Sequence, residues 1–275
     1  MMDSDERPVA LVTGGSAGLG MVIAETLLAR GYDVMIVGRD AERLNLAVDR
    51  LSAAVNGTVA SYQCDLTSSN DVDGLLVGVQ QRFGRLDALI NCVGASDRGL
   101  IENLAPERLE NLLRQNVLTA LLCSQGALPL LESSGGVIVN IGSLASKVGA
   151  RYIGGYAVAK HALAGMTQQM RLELKSRGIH VALVCPGPIR RADQGSRYSE
   201  LIDQSMPAQA SAPGGGTRLK GLAPERVADA VVRCLRHRVP DIILPRHLRI
   251  LVAVGHAFPR LGDWLLLKFT SSKEG

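Results

Sequence analysis

Residues Val9 to Gly31, VALVTGGSAGLGMVIAETLLARG, constrain the fold more tightly than any other stretch of the chain. Val9 to Val12 is an apolar run without polar alternation, the pattern of a strand buried on both faces. Thr13 to Gly20 comes next, with four glycines. From there Met21, Ile23, Ala24, Leu27 and Leu28 recur at helical spacing, and Gly31 stands where a glycine would end the helix. Strand, glycine turn and helix in that order bring bare backbone N–H groups and a helix N-terminus to one point. Unpaired donors and the helix dipole favour an anion there, and the glycines let a phosphate approach the backbone. The spacing Gly14-x3-Gly18-x-Gly20 departs from G-x-G-x-x-G, and an ordinary tight βα connection uses the same residue types.

The rest of the chain repeats this unit. Apolar runs at Asp33–Val37, Thr58–Gln63, Leu86–Val93, Gly136–Ile141, Ile179–Cys185 and Asp241–Leu244 alternate with helical periodicity. The helices are expected at Ala41–Val55, Asn70–Phe83, Pro106–Leu131, Gly155–Ser176 and Pro224–His237, with Asp40 capping the first of these. Seven strands joined by helices imply right-handed crossovers and a doubly wound, Rossmann-like parallel sheet covered on both faces. The 275 residues are 47% hydrophobic, enough for the core of one α/β domain of this size. Nine aromatic residues and a net charge of +4 without basic runs give no support to nucleic-acid binding. Five widely spaced cysteines without a C-x-x-C pair suit buried, reduced thiols in a cytoplasmic protein. The first residues, MMDSDERP, carry no apolar signal segment, and no metal site is expected.

Ligands of such sheets lie outside the carboxyl ends of the strands. Those ends carry Gly14–Gly20, Gly38–Asp40, Asp65–Leu66, Asn91–Gly94, Ser143 and Pro186–Gly187. Beyond them, Tyr156 and Lys160 lie four apart on an expected helix, so their side chains share a face. A phenol with a pKa near 10 needs a shift of roughly three units, about 4 kcal/mol, to exchange protons near neutrality. A close ammonium supplies an effect of that order. Ser143, at a strand end, would hydrogen-bond a carbonyl oxygen beside the phenol.

On these residues the chain resembles the short-chain dehydrogenase/reductase family, from about Pro8 to Leu244. Thr13-Gly14-x3-Gly18-x-Gly20 looks like the family's cofactor turn, with Ser16 and Leu19 inside it. Asp65-Leu66 resembles the pair at the adenine, and Asn91-Cys92-Val93-Gly94 stands for N-N-A-G with two positions changed. Asn116, Ser143, Tyr156 and Lys160 resemble the catalytic tetrad, and Pro186-Gly187, followed by Ile189, resembles the element over the nicotinamide. The resemblance implies hydride transfer between a nicotinamide cofactor and a carbonyl or secondary alcohol, in a homodimer or homotetramer. Tyr156 would exchange the proton, Lys160 would bind the nicotinamide ribose and acidify the phenol, Ser143 would polarise the carbonyl, and Asn116 would hold a relay water. Where the family often has a threonine after Pro-Gly, this chain has Arg191. A non-catalytic NAD(P)-binding regulator or scaffold on the same fold is the alternative.

Arg39 at the end of the second strand favours NADP(H) over NAD(H), because an arginine accepts a 2′-phosphate that an acid repels. Asp40 stands at the usual distance for that acid and is assigned instead to the helix cap. Residues 190–221 are long enough for a substrate loop, with Arg190, Arg191, Arg197, Arg218 and Lys220 making a basic lid and Pro213–Gly216 a hinge. Residues 247–270 form a basic, apolar tail broken by Pro259 and too short in each half to cross a bilayer. Packing at a subunit interface or over the substrate cleft is favoured for this tail over contact with a membrane surface.

Overall fold

Each apolar run of the sequence becomes a strand of one sheet. In the computed structural model, which describes residues 7–54, 57–190, 210, 217 and 219–270, the strands are β1 (Val9–Thr13), β2 (Asp33–Gly38), β3 (Val59–Gln63), β4 (Ala88–Asn91), β5 (Val137–Ile141), β6 (His180–Pro186) and β7 (Asp241–Leu244). All pair in parallel in the order β3-β2-β1-β4-β5-β6-β7. The chain winds outward from β1 to β3, then restarts beside β1 with β4 and winds the other way. The crevice between β1 and β4 is therefore the switch point at which such sheets bind ligands.

Because side chains alternate across a strand, each strand feeds two cores. Ala10, Val12, Val34 and Ile36 face α1 (Gly18–Ala29), α2 (Ala41–Ala54) and α7 (Pro224–His237). Val9, Leu11, Met35 and Leu89 face the other layer, α3 (Ser69–Phe83), α5 (Thr119–Ser134) and α6 (Gly154–Glu173). Asp40 caps α2 as expected, its carboxylate accepting from the Arg43 N–H at 3.0 Å.

One long helix of the sequence pattern divides. Over Pro106–Leu131 the structure has α4 (Pro106–Leu113), a π-helical turn at Arg114–Leu118, and then α5, which runs on past Pro129 to Ser134. The Asn116 side chain gives the physical reason. Its Nδ2 donates to the Leu112 carbonyl at 2.9 Å, the acceptor an α-helical bond from residue 116 would use. The tail forms two helices, α8 (Leu248–Ala257) and α9 (Pro259–Thr270).

Candidate active site

The first wall of the site is the turn from β1 into α1. Gly14 and Gly18 take left-handed φ angles of +68° and +56°, and space stands open beside Gly18 where a side chain would be. A Cβ on Gly20 would collide with the Gly14 carbonyl oxygen, so the turn closes only on glycine. The opening turn of α1 has backbone N–H groups without intrahelical acceptors and no acidic side chain beside them. Gly14, Gly18, Leu19 and Gly20 line a cleft of about 1300 Å³. That is larger than an ordinary small-ligand pocket and leaves room for a dinucleotide with a second molecule beside it.

Under this wall lies a buried polar scaffold. Thr13 Oγ1 accepts from the backbone N–H groups of Cys92 and Val93 at 2.9 and 3.2 Å, which fixes the end of β4 against β1. Asn91 Nδ2 donates to Asn140 Oδ1 at 2.8 Å and to Ser124 Oγ at 3.1 Å, and Asn140 passes the chain on to Thr167 at 2.9 Å. Both side chains are thus turned below the cleft: Thr13 and Asn91 hold the strand ends that carry Gly94. Val93 packs on the turn, its Cγ2 lying 3.2 Å from where a Gly14 Cβ would be.

Gly94 opens onto the centre of the site. A Cβ there would lie 2.6 Å from Asn116 Oδ1 and 3.3 Å from Lys160 Nζ, so both polar groups converge on a point only glycine leaves free. Asn116 Nδ2 is spent on the Ala95 and Leu112 carbonyls, both at 2.9 Å, while its buried Oδ1 has no protein partner. Lys160 is 5% exposed, donates to the Ile141 carbonyl at 3.0 Å, and sits 5.8 Å from the centre of the Tyr156 ring. Burial drives the Lys160 pKa down to about 8. Ser143, at the end of β5, caps the 3-10 turn Leu144–Ser146. Its Oγ accepts from the Ala145 N–H at 3.1 Å, which leaves the hydroxyl hydrogen to be donated elsewhere. Asn116, Ser143, Tyr156 and Lys160 all line the same cleft.

The opposite wall comes from the end of β6 and from the tail. Pro186, Gly187 and Ile189 line it, and Ile189 bridges Leu222, which brings the two ends of the 190–221 segment together at the cleft. Arg191, Arg197, Arg218 and the Pro213–Gly216 hinge fall outside the described residues. Leu248, Leu251 and Val252 of α8 and Leu265 and Leu266 of α9 form an apolar side of the cleft.

Towards the edge of the sheet, Arg39 is exposed at the end of β2, and Ser16 Oγ would touch a Cβ on Gly38 at 3.1 Å. Asp65 accepts from the Thr67 N–H and hydroxyl at 2.9 Å, which holds its carboxyl below the usual range, and Leu66 is buried behind it. These groups stand at the same carboxyl edge, outside the cleft wall. Two features are missing from the sequence-based expectation. Arg43, one turn into α2, lines the cleft and pairs with Asp40 at 3.3 Å. Arg98 is buried in the wall after Gly94, donating to the Ala210 carbonyl at 2.9 Å beside an ion pair of Asp97 with Arg108. Its signal, an acid and a base adjacent after a strand end, is too common to single out.

Four cysteines are inert by environment. Burial raises the thiols of Cys64 to about 11 and of Cys123, Cys185 and Cys234 to about 12. None of the helices among the described residues is long and apolar enough to cross a membrane.

Comparison with known proteins agrees with the geometry. The family model described as short chain dehydrogenase matches residues 8–200. Ketoacyl reductase HetN of Nostoc sp. is 29% identical over 92% of this chain and 86% of its own length. The crystal structure of an actinorhodin polyketide ketoreductase with NADPH superposes with a TM-score of 0.78 at 27% identity, covering 90% of this chain and 99% of that one. A short chain dehydrogenase/reductase from Burkholderia phymatum in complex with NAD shares the fold, with a TM-score of 0.79 over 94% and 96% of the two chains at 20% identity. The phosphate-suited turn, the paired tyrosine and lysine in one cleft and a family match over most of the chain lead to one conclusion: this protein belongs to the short-chain dehydrogenase/reductase family and is an NAD(P)-dependent oxidoreductase.

Proposed function

We propose that this enzyme interconverts a carbonyl compound and its secondary alcohol with NADP(H), using Tyr156 as the general acid and base. The observation that carries this is the buried Lys160 ammonium beside the Tyr156 ring, in a cleft that Ser143 and Asn116 also line. Bound in the cleft, the cofactor would supply or accept the hydride.

The chain's own groups divide the remaining work. The N–H groups at the start of α1, with Gly14, Gly18, Leu19 and Gly20, would hold the pyrophosphate. Asp65 and Leu66 would meet the adenine, and Pro186, Gly187 and Ile189 the nicotinamide. Thr13 and Asn91 would serve by fixing the strand ends, and Gly94 by leaving space. Ser143 would give its hydroxyl hydrogen to the carbonyl oxygen, where negative charge grows as the carbon becomes tetrahedral. Tyr156 would give its proton to the same oxygen. Lys160 would bind the ribose and, as an ammonium in a water-poor site, favour the phenolate that forms. The partnerless Asn116 Oδ1 beside Lys160 suits a water that returns a proton from solvent.

Preference for NADP(H) rests on Arg39 after the end of β2 and Arg43 in the first turn of α2, together with an Asp40 carboxylate already engaged by α2. The ketoreductase relative's complex with NADPH supports it. The apolar side built by α8 and α9 suits a substrate with a sizeable hydrocarbon part.

The test is loss of NADPH or NADH absorbance across a panel of ketones. Oxidation of NADPH is expected, with Tyr156→Phe about 10²–10⁴-fold slower at unchanged cofactor affinity. Binding of a cofactor without turnover of any ketone would make the protein a regulator instead. Arg43→Glu should lower the preference for NADPH over NADH by about 10–100-fold, the worth of one charge-assisted contact replaced by repulsion.

A further inference from the structure

The tail carries more apolar surface than the cleft uses. Six of the eleven exposed large hydrophobic residues among the described residues lie between Ile250 and Leu267. In α9, Gly262, Leu265 and Leu266 face α8 and the cleft, yet Leu261, Trp264 and Leu267 on its other side are 43%, 54% and 46% exposed. Ile250 of α8 is 70% exposed, and Phe258, between the helices, 63%. A short helix that is apolar on both sides needs a second apolar phase to meet its outer face.

Charge says which phase. Exposed Arg246, Arg249, Arg260 and Lys268 are interleaved with the apolar residues, against one acid, Asp263. Lys268 Nζ lies 4.7 Å from the centre of the Trp264 ring, so the ammonium and the indole reach the same level of the surface. A second copy docking by twofold symmetry would bring this patch against itself and oppose like charges. An anionic lipid surface would pair every one of them. Neither helix is long enough to span the bilayer, and an amphipathic pair of this length lies in the headgroup boundary.

We propose that the α8–α9 hairpin docks the enzyme on an anionic lipid bilayer, its outer apolar face in the headgroup boundary and its arginines and lysine on the lipid phosphates. Leu251 is 44% exposed and also lines the cleft, so the docked face borders the cleft itself.

Trp264 is the only tryptophan in the chain, so its emission reports on this surface alone. Full-length protein would be mixed with vesicles of phosphatidylcholine, with and without phosphatidylserine, and followed by tryptophan emission and co-sedimentation. A blue shift and sedimentation with the phosphatidylserine vesicles are expected, at least about a hundredfold tighter than with phosphatidylcholine alone and weakened by salt. Leu261→Asp with Leu267→Asp should weaken binding by at least about tenfold while thermal melting keeps a cooperative transition. Absence of both signals with phosphatidylserine vesicles overturns the proposal. So does a dimer, seen by sedimentation equilibrium, that buries Trp264 and is dissociated by the same double variant. No turnover enters these readouts, so they stand or fall apart from the proposed reaction.

Discussion

The cleft has two facing walls that keep their shape by different means. On the sheet side, Thr13 ties β4 to β1, Asn91 is linked through Asn140 to Thr167, and Lys160 is fixed on the Ile141 carbonyl, all in buried surroundings. The hairpin side is looser. None of α8 is fully buried, and α8 meets α9 where Gly255 and Gly262 approach backbone to backbone. A hydrogen bond from exposed His256 to the Lys147 carbonyl, at 2.8 Å, reaches back to the segment after Ser143. The difference fits the task proposed for each wall. The proposed proton transfer would fail if groups were misplaced by an ångström, and Tyr156 and Lys160 of α6 stand against strand ends braced by buried hydrogen bonds. A wall that only excludes water and selects apolar shape tolerates movement.

The largest break in this comparison is expected at Lys160. Lys160→Met should lower turnover by about 10²–10⁴-fold while making the cofactor-free protein more stable at neutral pH. The sign comes from the depressed pKa. Between about 8 in the folded protein and the ordinary value of 10.5, the unfolded chain binds more protons, so wild-type stability rises with pH across that window. Below it the buried charge costs at most about 3 kcal/mol, less about 1 kcal/mol for the bond to Ile141 that methionine cannot make. Urea unfolding should therefore find the variant ahead at pH 7, with its lead shrinking towards pH 10. Equal stability at pH 7 would mean the ammonium is better solvated than its burial implies.

Gly94→Ala strikes the same wall through space instead of charge. The added methyl would meet Asn116 Oδ1 at 2.6 Å, and β4 is too well braced to retreat. A loss of about 1–3 kcal/mol in chemical unfolding and about 10–100-fold in turnover is expected.

What the sequence disclosed divides along the same line. The seven strands, the glycine turn, the Asp40 cap and the Tyr156–Lys160 pair were legible because each is written in local spacing and residue type. The π-helical turn was not. It depends on the Asn116 amide reaching both Leu112 and Ala95, and the second of these is far away along the chain. Thr13 and Asn91 carried the pattern of residues at a cofactor site, yet their side chains point inward, because the ends of parallel strands need donors and acceptors of their own. Arg43 was hidden by periodicity, since a charged residue early in a helix is ordinary. The hairpin wall was visible as two apolar segments, but not which side of each would line the cleft. That is decided by the meeting of Gly255 with Gly262, a contact no single segment encodes.

The smallest effect is expected from Gly262→Val, which tests whether the looser wall is mechanically separate. The new Cβ would lie 2.7 Å from the Gly255 Cα, so α9 has to move off α8. Inside a packed core such a clash costs about 1–3 kcal/mol, but here α9 can shift outward without disturbing the sheet. Melting should change by no more than about 2 °C, the shift that under 1 kcal/mol gives in a protein of this size. KM for an apolar ketone should rise about three- to tenfold as the apolar side opens, with turnover number and NADPH affinity within about twofold of wild type, because neither Tyr156 nor the α1 turn is displaced. A fall in turnover comparable to that of Gly94→Ala would show instead that strain at the hairpin reaches the reacting groups. The short path for it runs from His256 through the Lys147 carbonyl to the turn that Ser143 caps. Adding His256→Ala to Gly262→Val would then restore turnover by cutting that path, whereas with separate walls the second substitution changes nothing further.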